Sequence, residues 1–265
     1  MIDTHIHLSS IDYYNNPDQV LGLLEENGVS SIVNVATDIE TSKQSIKLSQ
    51  KFPKLSYATV GIHPEEINSD TDNQVLMQLE QLVQQETVVA VGEVGLDKTY
   101  IQKLGESEMT ERFNWQNNWL DSQVLIAKKY NLPLILHSRD TTLEMLEKIK
   151  ELNNEVRFVW HCFTETLGIA NQVIDNGGYI SFTGIITYKS AVEIESVIKQ
   201  IPKNKYMIET DGPFLIPEPL RKQGLKPNMP WYVKYVAEKI ASVRGESVDT
   251  VLFQTDKNSK TFFQI

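Results

Sequence analysis

Short apolar runs of strand length alternate with amphipathic stretches of helical period along all 265 residues, and that alternation leaves few folds open. The strand-like runs cover 1–4, 31–36, 55–62, 87–93, 132–136, 156–161, 178–183 and 204–210. Amphipathic stretches lie near 17–28, 40–51, 72–85, 108–130, 141–152, 167–176 and 189–200. Leu76, Leu79 and Leu82–Val83 recur every three to four positions, as do Leu143, Leu146 and Ile149, which marks one helix face. Right-handed crossovers make the strands of such a chain parallel. Eight repeats predict an α/β fold, a (β/α)8 TIM barrel, whose usual length of roughly 250 residues fits. A doubly wound open sheet is the competitor, but it would keep the first and last strands apart. Residues 231–263 predict two more helices, one of them an extra C-terminal helix. No Pro/Gly/Ser-rich linker or low-complexity tract divides the chain, so residues 1–265 read as a single barrel domain.

The ends of the strand-like runs carry the chemistry. All five histidines stand there: His5 and His7 after the first run, His63 after the third, His137 after the fifth and His161 after the sixth. Glu93 and Asp211 follow the same rule after the fourth and eighth runs. In a parallel barrel these ends share one rim, so imidazoles and carboxylates converge as metal ligands do. Residues two apart in a strand face one side, which turns both imidazoles of His5-Ile6-His7 inward. Asp3, one step below, is expected to orient one of them. Glu93 lies between Gly92 and Gly95, free to bridge two ions with one oxygen to each. Glu209 and Asp211 share a face: Asp211 is expected at the metal and as a base, Glu209 as a paired structural acid. Arg139 has two readings, a bidentate phosphate clamp or a rim salt bridge with Asp140. Cys162 alternates away from His161 and reads as a small buried residue. Residues 97–107 and the proline-rich 212–228 are long connections on the same rim and the expected substrate walls.

Net charge is −10, so broad electrostatic grip on duplex DNA is disfavoured and a phosphate substrate would need a local cation source. One cysteine excludes an internal disulfide framework and a cysteine-rich zinc module. No apolar run approaches the roughly 18 residues of a membrane span, so no membrane partner is expected. Cleavage of a leader would remove His5 and His7, which makes a cytoplasmic protein the expectation.

Taken in order, Asp3-x-His5-x-His7-Leu8, Gly61-Ile62-His63-Pro64, Gly92-Glu93-Val94-Gly95-Leu96-Asp97, His137-Ser138-Arg139-Asp140, His161-Cys162-Phe163 and Glu209-Thr210-Asp211 resemble the TatD family of metal-dependent deoxyribonucleases. The likeness spans the chain, including Pro230-x-x-Val233, Asn258 and Phe262. It implies an amidohydrolase-type barrel that hydrolyses phosphodiester bonds with two divalent metal ions, magnesium, manganese or zinc. His5, His7, Glu93 and Asp211 would hold one ion; Glu93, His137 and His161 would hold the other. Asp211 would accept the proton of the attacking water. His63 corresponds to a family histidine that contacts substrate phosphate, the alternative being a packed residue beside Pro64. Three positions depart from the family pattern: Ser9 where Asp is usual, Glu165 where Gly is usual, and Lys98 where an aromatic is usual. All border the expected cleft.

The resulting expectation is a 3′-5′ exonuclease on single-stranded DNA or DNA 3′ ends. Two rivals stand beside it: an esterase of the same family type acting on D-aminoacyl-tRNA, and a subunit of a bacterial antiphage defence complex. The chain would be a monomer in the first cases and part of a larger assembly in the last.

Overall fold

Eight parallel strands hydrogen-bond in sequence order: β1 (Ile2–Ile6), β2 (Ser31–Asn34), β3 (Ser56–Val60), β4 (Val88–Asp97), β5 (Leu134–Arg139), β6 (Phe158–Trp160), β7 (Tyr179–Phe182) and β8 (Tyr206–Ile208). The computed structural model describes residues 1–9, 16–69 and 71–265. Between and after the strands run α1 (Pro17–Gly22), α2 (Ile39–Lys51), α3 (Asn73–Leu82), α4 (Glu106–Tyr130), α5 (Thr142–Glu151), α6 (Leu167–Asp175), α7 (Ile194–Gln200), α8 (Val233–Arg244) and α9 (Val248–Phe263). The ring closes where the open-sheet alternative would have left a gap. His7 N–H donates to the Gly212 carbonyl at 2.7 Å and Asp211 N–H to the His5 carbonyl at 2.8 Å. The fold is the expected (β/α)8 barrel.

Alternation along the strands sorts the apolar residues into two layers. Val33, Val35, Val89, Ile135, Val159 and Met207 cluster with Phe262 and Phe263. Val60, Val91, Leu134, Leu136, Phe158, Trp160 and Ile208 pack instead with the helices. Phe262 and Phe263 belong to α9, so the extra C-terminal helix supplies part of the packing shared with strand residues. The Asn258 amide fixes it by donating to the Lys203 and Tyr206 carbonyls at 2.8 and 2.7 Å. The Asp256 carboxylate accepts from Ile2 N–H at 2.8 Å, which holds the same helix to the start of β1.

Several boundaries differ from the pattern in the sequence. β4 runs on to Asp97 and β5 to Arg139, because Val94–Asp97 pair in register with Leu136–Arg139. Glu93 and His137 therefore lie within strands rather than at their ends, and the connection after β4 starts at Lys98. α1 stops at Gly22 and gives way to turns, where a helix to 28 was expected; Gly28, at φ +75°, ends the stretch. α7 starts at Ile194 rather than 189. No helix among the described residues is long and apolar enough to cross a membrane.

Candidate metal centre

Seven of the eight candidate side chains meet in one cluster, with Glu93 at its middle. Glu93 Oε2 lies 3.3 Å from His5 Nε2 and 3.5 Å from His7 Nε2. Asp211 Oδ1 lies 3.6 and 3.4 Å from the same two nitrogens, which are 3.2 Å apart. Ligands held about 2.0–2.2 Å from a tetrahedral ion stand roughly 3.3–3.6 Å from one another. The separations among His5, His7 and Glu93 are close to that spacing, so these three fit a divalent ion, and Asp211 stands about as near to both imidazoles. The other oxygen, Glu93 Oε1, is 2.7 Å from both His137 Nδ1 and His161 Nε2, and those nitrogens are 3.3 Å apart. His63 Nε2 reaches Oε1 at 3.6 Å. One carboxylate thus divides its oxygens between two donor groups. Three overlapping groups have ligating atoms close enough to share an ion: His5, His7 and Glu93; His63, Glu93 and His137; His5, His161 and Glu209.

The backbone makes this convergence possible at Gly95, where φ is +155° and a Cβ would run into the His137 carbonyl. Only glycine lets β4 and β5 approach this closely beside the centre.

The outward nitrogens of the imidazoles tell the histidines apart. His7 Nδ1 lies 3.1 Å from the Val35 carbonyl, which accepts a proton and cannot give one. His137 Nε2 is 3.1 Å from Asp97 Oδ2, and His161 Nδ1 is 3.5 Å from Glu209 Oε1. The His7 and His137 rings therefore carry their proton on the far nitrogen when neutral, leaving a lone pair toward the centre, whereas His161 Nδ1 makes no hydrogen bond among the described residues. His63 is reversed. Its Nδ1 accepts the Glu65 backbone N–H at 3.2 Å, so the neutral ring carries its proton on Nε2, the nitrogen facing the centre. His5, wholly buried and stacked on His161 at 4.2 Å, has no hydrogen-bond partner for Nδ1 among the described residues.

Burial and charge pull in opposite directions here. Burial alone would raise the Glu93 pKa, but His161, His63 and His5 hold it well below the usual carboxylate range. Asp211 is likewise lowered against burial, by His7 first and then His5. Burial opposes charge on His161, yet Glu93 and Glu209 raise its pKa well above the ordinary value. His137 is raised the same way by Asp97 and Glu93. Burial pushes His63 down to about 3, so it is neutral near pH 7.

Several expectations need correction. Arg139 is exposed at the end of β5 and makes no ion pair with Asp140 among the described residues; Asp140 instead accepts from Gln102 Nε2 at 3.1 Å. Asp3 orients no imidazole. Its carboxylate accepts from Thr210 N–H at 2.8 Å and Thr210 Oγ1 at 2.6 Å, tying β1 to the segment after β8, and burial raises its pKa to about 8. Glu209 is paired as expected, accepting Cys162 N–H at 2.8 Å, and also faces His161. Cys162 is only partly buried and belongs to none of the ligand groups. Asp97 joins the centre as the partner of His137, a role whose one signal in the sequence is its place in a Gly-Leu-Asp run beyond the strand carrying Glu93. Of the three departures, Ser9 Oγ accepts from Asn34 Nδ2 at 2.9 Å, and Lys98 pairs with Glu144 and lies over the Phe113 ring at 4.7 Å. Glu165 is partly buried.

The chain is similar to known proteins along its whole length. Residues 2–264 match the family of TatD related DNases. The uncharacterized metal-dependent hydrolase YabD of Bacillus subtilis strain 168 is 34% identical over 266 residues, covering 100% of this chain and 99% of its own. The 3'-5' ssDNA/RNA exonuclease TatD of Pectobacterium carotovorum subsp. carotovorum strain PC1 is 28% identical over 268 residues, with 100% of both chains covered. The crystal structure of YJJV, a TatD homolog from Escherichia coli K12, superposes with a TM-score of 0.88 at 29% identity, over 100% of this chain and 98% of that one. The chain belongs to the TatD family and is a metal-dependent hydrolase.

Proposed function

We propose that the chain is a two-metal phosphodiesterase that removes nucleotides from the 3′ end of single-stranded DNA. The observation that carries the reading is the division of Glu93, Oε2 toward His5 and His7 and Oε1 toward His137 and His161. In this reading His5, His7, Glu93 and Asp211 hold one ion, and Glu93, His137 and His161 hold the second. Bound divalent ions would supply Lewis acidity and lower the pKa of a water toward 7.

The chain's own residues do the rest. Asp211 is kept ionised by the surrounding imidazoles and can take the water's proton as the phosphorus is attacked. His63 presents Nε2–H because Glu65 N–H occupies its Nδ1, so it donates a hydrogen bond to a phosphate oxygen and does not act as a ligand. Arg139, exposed at the tip of β5, adds positive charge for the same phosphate. The 3′-5′ polarity and the single-stranded preference are supported by the 28%-identical exonuclease relative and by the net charge of −10, which disfavours gripping long duplex.

The test is a 3′-labelled single-stranded oligonucleotide incubated with metal-loaded protein, alongside a blunt duplex and a closed single-stranded circle. Stepwise loss of 3′ mononucleotides, faster than from duplex, is expected. Faster cutting of the circle would overturn the exonuclease reading.

A further inference from the structure

We propose that Glu209 is a positioning residue for both half-sites of the metal centre, holding His5 and His161 through one bridging water, an inference that rests on the two-ion reading above. Glu93 faces both rings at Nε2, with Oε2 3.3 Å from His5 and Oε1 2.7 Å from His161. The two rings stack with centroids 4.2 Å apart and planes at 19°, and both turn Nδ1 away from Glu93. Each of these Nδ1 atoms is buried without a hydrogen-bond partner among the described residues. Glu209 stands beside them. Its Oε1 lies 3.5 Å from His161 Nδ1, and the ligating atoms of His5, His161 and Glu209 lie within 4.8 Å of one another.

The carboxylate is pinned by the chain neighbours of the two rings. Cys162, which follows His161, donates its N–H to Glu209 Oε1 at 2.8 Å. Thr4, which precedes His5, places its hydroxyl 3.5 Å from Oε2 and donates to the Ile208 carbonyl at 3.0 Å. Cys162 does this at φ +48°, a region that a residue with a side chain enters at a cost and keeps only where its surroundings hold it. Glu209 itself follows β8 and is buried, so its reach toward the imidazoles is fixed.

A neutral imidazole that gives its Nε2 lone pair to an ion keeps its proton on Nδ1. His5 would do so for the first ion and His161 for the second, which leaves two buried N–H donors side by side. A buried donor without an acceptor is costly, and an acceptor farther off than about 3.5 Å is reached through a water. One water that accepts from both Nδ1–H groups and donates to Glu209 has about three polar partners, the common number for a buried water. A third cation at the same point would meet two N–H groups aimed at it, so water is the better occupant. Glu209 thereby sets the tautomer and the angle of one ligand in each half-site, whereas Asp97 serves His137 alone.

The test uses cobalt(II) as the probe, titrated against a chelator, with elemental analysis of metal per chain and proton spectra of the nitrogen-15-labelled, cobalt-loaded protein. Glu209→Gln keeps the size of the side chain and should weaken both cobalt sites by about 10- to 100-fold, whereas Asp97→Asn should weaken the second alone. Two cobalt-shifted N–H signals, assigned to His5 and His161, should persist in D2O in the wild type and exchange faster in Glu209→Gln. Rapid exchange of both in the wild type overturns the proposal, whether or not the variant folds. A Glu209→Gln protein that keeps both affinities and loses only thermal midpoint under chelation also overturns it, since that is the behaviour of a packing residue. Loss of the second site alone would confine Glu209 to His161, and a third cobalt per wild-type chain would put an ion where the water belongs; either result overturns it too. Fewer than two ions on the wild type removes the two-ion reading and this one with it.

Discussion

At the scale of residues, what separates a ligand from a substrate contact is the partner of the nitrogen that points away. Glu93→Gln keeps the size of the central side chain but removes its charge, so it should lower metal per chain and abolish hydrolysis; two ions and full activity would refute its bridging role. Asp97→Asn removes the carboxylate behind His137, and metal affinity should fall about 10- to 100-fold, with fewer than two ions retained at limiting metal. His63→Ala should do the opposite: near-wild-type metal content by elemental analysis, with kcat lower by roughly 10²–10⁴-fold. A metal-poor His63→Ala protein would make that imidazole a ligand. The seven clustered residues were legible because strand ends and period-two spacing point side chains to one rim. The partners were not. Asp97 meets His137, and Asp3 meets Thr210, across 40 and 207 residues, and only the register of neighbouring strands decides such pairs.

Secondary structure elements were legible in number and order, and less so in their ends. All eight strands and the helices between them follow from apolar periodicity, because burying one face is a property of each segment alone. The extension of β4 to Asp97 follows instead from its pairing with β5, and a run of Val-Gly-Leu-Asp after Glu93 has no strand-like alternation to announce it. That extension moves Asp97 from a loop into the wall of the centre. It also depends on Gly95, whose φ of +155° and contact with the His137 carbonyl exclude a side chain. Gly95→Ala should cost about 1–3 kcal/mol through overpacking against backbone. Because the displaced carbonyl belongs to His137, a lower thermal midpoint should come with reduced metal content. An unchanged midpoint would show that β4 and β5 can separate at little cost.

The whole molecule joins this centre to global stability, since five imidazoles and several acids occupy one buried space. Without metal, Glu93 with Asp97 raises the pKa of His137, and Glu93 with Glu209 that of His161, against the opposing effect of burial. A folded pKa above the unfolded one gives stability that is complete below about 6.5 and is lost as pH rises through the folded value. Metal needs the same nitrogens unprotonated, so its binding strengthens as that proton-linked stability fades. Saturation at about 100 times Kd adds roughly 2.7 kcal/mol. For a chain this long, each kcal/mol moves the midpoint by about 2–4 °C, so metal should raise it by about 5–10 °C. The gap between metal-loaded and chelated protein should widen from pH 6 to pH 8.5 in calorimetric scans. Burial lowers the pKa values of His5 and His63, so neither reverses the trend. A gap that narrows as pH rises would mean that His137 and His161 are not where metal and protons compete.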